Sequence, residues 1–167
     1  NDDRSLLEKI KEALGKDPNK EILFLLNKAD CLDEEKGERL GQVVIRTQKY
    51  LTEIGFNHPT IIPTAANYAL VLQKILNEEQ LTRSERSELR TALDTLNTNL
   101  IVTSTIKTEQ KFNILNKIKK AKTEGRVKIA NGNTTTKQRL ERSLMKSGFG
   151  VVNYLLQQKI NSNPFIK

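Results

Sequence analysis

Five apolar residues in succession, Ile22-Leu23-Phe24-Leu25-Leu26, stop abruptly at the tetrad Asn27-Lys28-Ala29-Asp30. A short apolar run with polar residues on either side predicts a strand buried on both faces, the kind found inside a parallel sheet. Open α/β sheets bind ligands beyond the carboxyl ends of their strands, so the tetrad occupies the place where a site is expected. A plainer reading competes with this one. Asp30 or Asp33 could simply cap a helix that starts near Glu34.

The rest of the chain supplies a framework for such a strand. Residues 3–14 carry Leu6, Leu7, Ile10, Ala13 and Leu14 at helical spacing, with Gly15 as a C-cap and Asp17-Pro18 as the turn into the strand. Residues 34–54 read as a second amphipathic helix weakened by Gly37 and Gly41 and ended by Gly55. Thr60-Ile61-Ile62-Pro63-Thr64 predicts a second strand with Pro63 near its exit, because proline removes a ladder donor. Helix, strand, helix, strand in this order implies right-handed crossovers and a parallel sheet of at least two strands with flanking helices. Ala65-Ala66-Asn67 then falls at the same sheet edge as the tetrad.

Further along, a helix is expected from Tyr68 to Leu76. Thr82 with Glu85 three residues later forms a capping box ahead of a face bearing Leu89, Leu93, Leu96 and Leu100. Phe112, Leu115 and Ile118 give a helical stripe beside Lys117, Lys119, Lys120 and Lys122. Val127 and Ile129, with Asn131-Gly132 and Asn133-Thr134-Thr135-Thr136, fit a weak hairpin or a loop. A last helix opens at Gly148-Phe149.

Asn-Lys-x-Asp at the end of such a strand is the guanine-reading motif of GTPases. With its surroundings, the chain resembles the second half of a GTPase domain of the bacterial dynamin-like family. The matching pieces are the helix before the tetrad, ILFLL, NKADCLDEE, TIIPT, the AAN loop and the helix after Ser147-Gly148-Phe149. The resemblance implies a partial P-loop GTPase-type sheet over residues 1–76. A largely helical basic insertion would follow over 77–146, and a closing helix over 147–167. It also implies roles. One ionised carboxylate, Asp30, can accept from both N1–H and the exocyclic amine of guanine, a pairing adenine cannot offer. Such charge-assisted bonds are worth about 1.5–3 kcal/mol each. Asn27 would tie the tetrad to the neighbouring turn, and Lys28 would lay its methylene stem along the base. The Ala66 amide is the expected donor to guanine O6. Ala65 and Asn67 depart from the Ser and Lys that GTPases carry there, so their side chains should contribute little.

The chain contains no G-x-x-x-x-G-K-[ST] loop, and no Asp-x-x-Gly follows a strand. Phosphate binding, Mg²⁺ ligation and positioning of the attacking water depend on those parts. Base contacts alone would supply about 3–6 kcal/mol, a millimolar site. The expectation is therefore a fragment without activity whose intact parent binds GTP or GDP with Mg²⁺ and hydrolyses GTP. That hydrolysis would be coupled to membrane remodelling or self-assembly, in the cytoplasm or at a membrane surface. The missing N-terminal half of the domain, and further copies of the protein, are the expected partners.

Charge suggests a second class of function. Residues 1–100 carry 14 Lys and Arg against 17 Asp and Glu (net −3), whereas residues 101–167 carry 14 against 3 (net +11). Such asymmetry fits an acidic partner, and the alternative reading is a non-enzymatic basic helical module binding nucleic acid or anionic membrane. Few aromatics interleave with the lysines, which disfavours nucleic acid. Solvated helix faces account for the same charges. The single cysteine, Cys31, fits a reducing compartment, and His58, the single histidine, has no partner for a His-based metal site or triad.

Overall fold

The structure, a computed structural model, describes residues 2–15, 21–95, 100–120, 122–129 and 134–162. The expected Asp17-Pro18 turn, Leu96, and the Asn131-Gly132-Asn133 stretch lie outside them. The fold is α/β, with 63% helix and a two-stranded parallel sheet flanked by helices. Helix α1 (Asp2–Leu14) leads to β1 (Leu23–Leu26), α2 (Leu40–Ile54), β2 (Thr60–Pro63) and α3 (Ala66–Leu76). Helices α4 (Arg83–Thr95), α5 (Leu100–Thr103) and α6 (Thr108–Lys120) follow. The antiparallel pair β3 (Arg126–Lys128) and β4 (Thr134–Thr136) precedes α7 (Lys137–Lys146) and α8 (Phe149–Ser162).

Strands β1 and β2 pair in parallel, Leu23 with Thr60 through Leu26 with Pro63. Side chains alternate across a strand, and here the alternation builds two cores. Ile61 and Phe24 point to one side with Val44 and Leu51 of α2 and with Tyr68, Val71 and Leu72 of α3. Ile62 and Leu23 point to the other, with Ile101, Ile114 and Ile118 of α5 and α6 and Val151 of α8. Each fully buried aliphatic side chain of this kind contributes about 1.5–3 kcal/mol.

The two edges of the sheet differ. On the outer side of β2, Thr105 stands in for a third strand. Its N–H donates to Ile61 O at 2.9 Å, and its Oγ1 accepts from Ile61 N–H at 2.7 Å and donates to Pro59 O at 2.9 Å. Among the described residues, the outer side of β1 has no such cover. The register turns the backbone groups of Phe24 and Leu26 toward β2 and those of Leu23 and Leu25 outward, where no described residue bonds them. The side chain of Leu25 is 46% exposed. The strand is therefore not buried on both faces as its sequence predicts, and among the described residues it has one neighbouring strand.

Two other expectations are corrected. The helix expected from Glu34 starts at Leu40. Residues Glu34–Lys36 form a 3₁₀ turn capped by Asp33 Oδ1, which accepts from Lys36 N–H, and Gly37 then turns to φ 81°, outside helical space. On α6 the buried stripe is Ile114 and Ile118, with Leu115 partly covered, while Phe112 is 63% exposed. Leu89, Leu100, Val127 and Leu140 share one core with α2 and α3, and α7 packs along α3. Among the described residues, no helix is long and apolar enough to cross a membrane.

Candidate functional site

Beyond the carboxyl ends of β1 and β2 the two following loops are laced together. Thr64 N–H donates to Leu26 O at 2.9 Å, and Ala29 N–H donates to Thr64 O at 3.0 Å. The Asn27 side chain reaches across as well. Its Oδ1 accepts from Ala66 N–H at 3.1 Å and lies 3.5 Å from Thr64 Oγ1. Lys28 takes a left-handed backbone conformation, φ 62°, and its carbonyl accepts from Cys31 N–H at 3.0 Å. A lysine held at positive φ is uncommon and is tolerated where surrounding contacts fix it.

The second loop is also braced from behind. Ser147, fully buried, accepts from Ala65 N–H at 2.9 Å. Gly148 follows at φ 90°, where an added Cβ would lie 2.1 Å from Pro63 O and 3.0 Å from Thr64 Cα. The junction of α7 and α8 therefore presses directly on the backbone that delivers Ala65 and Ala66, which is why a residue without a side chain sits there.

These loops border a cavity of about 460 Å³, within the size range of small-ligand pockets. Asn27, Lys28, Asp30, Ala66 and Asn67 line it, so five of the six expected site residues come together. Ala65 is fully buried behind the loop. The Ala66 N–H, expected at guanine O6, is here donated to Asn27, so a purine carbonyl would share it with that side chain.

The cavity also has walls that the sequence reading missed. Tyr68 and Val71 of α3 and Ser87, Glu88 and Leu89 of α4 line it, as does Cys31. Helix α4 reaches the site because it folds back on α3. The Thr82–Glu85 capping box forms reciprocally, with Thr82 N–H to Glu85 Oε2 at 2.8 Å and Glu85 N–H to Thr82 Oγ1 at 3.2 Å. Lys74 Nζ meets Glu85 Oε1 at 2.5 Å, and Asn67 Nδ2 donates to Glu88 Oε2 at 2.5 Å. The capping box was the signal in the sequence that a helix starts there, but nothing local to residues 82–89 shows where that helix leans.

Charge in the cavity is mixed, with Lys28 against Asp30 and Glu88. Partial desolvation pushes the Cys31 thiol above its ordinary pKa although the residue is largely exposed, and the Asp30 carboxylate adds to the effect. Burial likewise raises the Tyr68 phenol. Among the described residues, no group of three or more His, Cys, Asp or Glu could hold a metal ion. Comparison with protein-family models, with curated proteins and with solved structures gave no match.

Proposed function

We propose that this chain carries the base-reading part of a guanine-nucleotide site. The observation that supports it best is the Asn27 bridge. One amide side chain joins the loop after β1 to the loop after β2, so that Asp30, Lys28 and Ala66 border one purine-sized space. In this reading Asp30 accepts from N1–H and the exocyclic amine, Lys28 lies along the base, and the shared Ala66 N–H meets O6. The phosphates would be held by a polypeptide segment outside these 167 residues. The open outer edge of β1, in a parallel sheet of two strands, supports that division, since parallel sheets are normally covered and extended on both sides. The resemblance to bacterial dynamin-like GTPases extends the proposal to a parent that binds GTP or GDP with Mg²⁺, hydrolyses GTP and acts on membranes or by self-assembly.

The basic second half supports the alternative module less well, because Val127, Leu140 and Ile118 anchor it to the same cores as the sheet. The test is a heteronuclear NMR titration of this chain with guanosine and adenosine monophosphates. Millimolar binding of the guanine compound is expected, with shifts centred on Lys28–Cys31 and Ala66–Asn67. Asp30→Ala should erase the preference. Asp30→Asn should favour xanthosine monophosphate, whose C2 carbonyl matches a carboxamide donor. Equal responses to guanine and adenine in the unaltered chain would refute the reading.

A further inference from the structure

Glu88 has no part in the base contacts described so far, yet it lines the same cavity as Asp30. Helix α4 holds it there through the Lys74–Glu85 contact near the start of the helix and through Leu89, which is buried in the core. One of its oxygens, Oε2, accepts from Asn67 Nδ2 at 2.5 Å, whereas Oε1 has no hydrogen-bond partner among the described residues. The negative charges of Asp30 and Glu88 both act on the Cys31 thiol, which lines the same cavity. The cavity thus presents two carboxylates and one ammonium, a set that suits a ligand edge rich in N–H donors and does not suit a phosphate.

Guanine's edge has three such donors: N1–H and two hydrogens on the exocyclic amine. Asp30 can take N1–H and one amine hydrogen. The third is left without an acceptor from Asp30, and a carboxylate on the cavity wall can supply one by a charge-assisted bond. We propose that Glu88 is a second specificity-determining carboxylate, accepting from the exocyclic amine on the side away from Asp30. This assignment rests on the guanine reading above and adds a distinction that Asp30 alone makes less sharply, between guanine and hypoxanthine, which lacks the amine. Asn67, by holding Oε2, fixes the carboxylate so that Oε1 is the oxygen offered to the ligand.

The experiment compares guanosine and inosine monophosphates by NMR titration of the whole chain, unaltered and as Glu88→Ala, Glu88→Gln and Asn67→Ala. Glu88→Ala should weaken the guanosine compound about tenfold and leave the inosine compound within about twofold, the size expected for one charge-assisted bond. Glu88→Gln, which keeps a neutral acceptor, should fall between. Asn67→Ala should retain a preference for guanosine. If Glu88→Ala weakens both compounds equally, or neither, the assignment to Glu88 is wrong while the guanine site stands. If the unaltered chain binds neither compound, the site and this assignment fail together.

Discussion

Asn27 shows how much a single side chain can organise. Its carbonyl oxygen accepts from a backbone N–H that belongs to a loop nearly forty residues away in sequence, and the two strands' exits are held in register by that bond. Removing it leaves Ala66 N–H without its partner. Asn27→Ala should therefore cost about 1–2 kcal/mol in urea unfolding and shift the Ala66 and Asn67 amide resonances even without ligand. Gly148 is the opposite case, a residue needed for what it lacks. Any Cβ there meets Pro63 O, and the backbone is left-handed as well. Gly148→Ala should cost more than about 2 kcal/mol, seen as a lowered thermal midpoint. The tetrad was legible as the polar end of a strand that borders a cavity, because its residues are contiguous and follow an apolar run. Gly148 was legible only as the start of a helix, because its constraint comes from a carbonyl 85 positions earlier.

Elements were legible wherever local chemistry decides them. The capping box of α4 and the αL glycine that ends α2 follow from residues near one another, and the parallel pairing of β1 with β2 follows from the helix–strand order. Packing direction did not follow. Phe112 falls on the expected stripe of α6 yet faces solvent, because the sheet contacts the helix through Ile114 and Ile118. The edge of β2 is another tertiary outcome. A loop threonine, Thr105, gives Ile61 both of its backbone partners. Thr105→Val keeps the shape and strands the buried Ile61 N–H, so a loss of about 1–3 kcal/mol is expected by chemical denaturation. The contact between α3 and α4 should respond to pH. Glu85 is held below its ordinary pKa, first by the hydrogen bond from Lys74 and then by the Thr82 N–H. A lowered folded value means that this stability is complete above the ordinary glutamate pKa, about 4.3, and is lost as pH falls through the depressed one. Unfolding midpoints followed from neutral to acid pH should show this loss in the unaltered chain and less of it in Lys74→Met.

At the scale of the whole molecule, the sequence divides where the structure does not. Charge separates residues 1–100 from 101–167, but α7 lies on α3 and the α7–α8 junction touches the loop after β2. The positive charge is carried on the outer faces of helices whose inner faces complete the cores, which is why composition alone suggested an independent module. Charge counts do not register the buried Leu140 or Val127 that bind the halves together. Among the described residues the outer side of β1 is unpaired, and two solution measurements should report it. Amide hydrogens of Phe24 and Leu26 should exchange slowly with deuterium and that of Leu25 quickly, an every-other-residue pattern readable by NMR. Leu25 adds a greasy contact to that rim, so concentrated samples should drift toward pairs or larger stacks joined strand to strand. A charged Leu25→Lys substitution should keep the chain monodisperse in light scattering with little change in unfolding midpoint. Like half of a zip fastener, the outward peptide groups of Leu23 and Leu25, unpaired among the described residues, offer a seam to any extended chain, a complementary segment or a copy of itself.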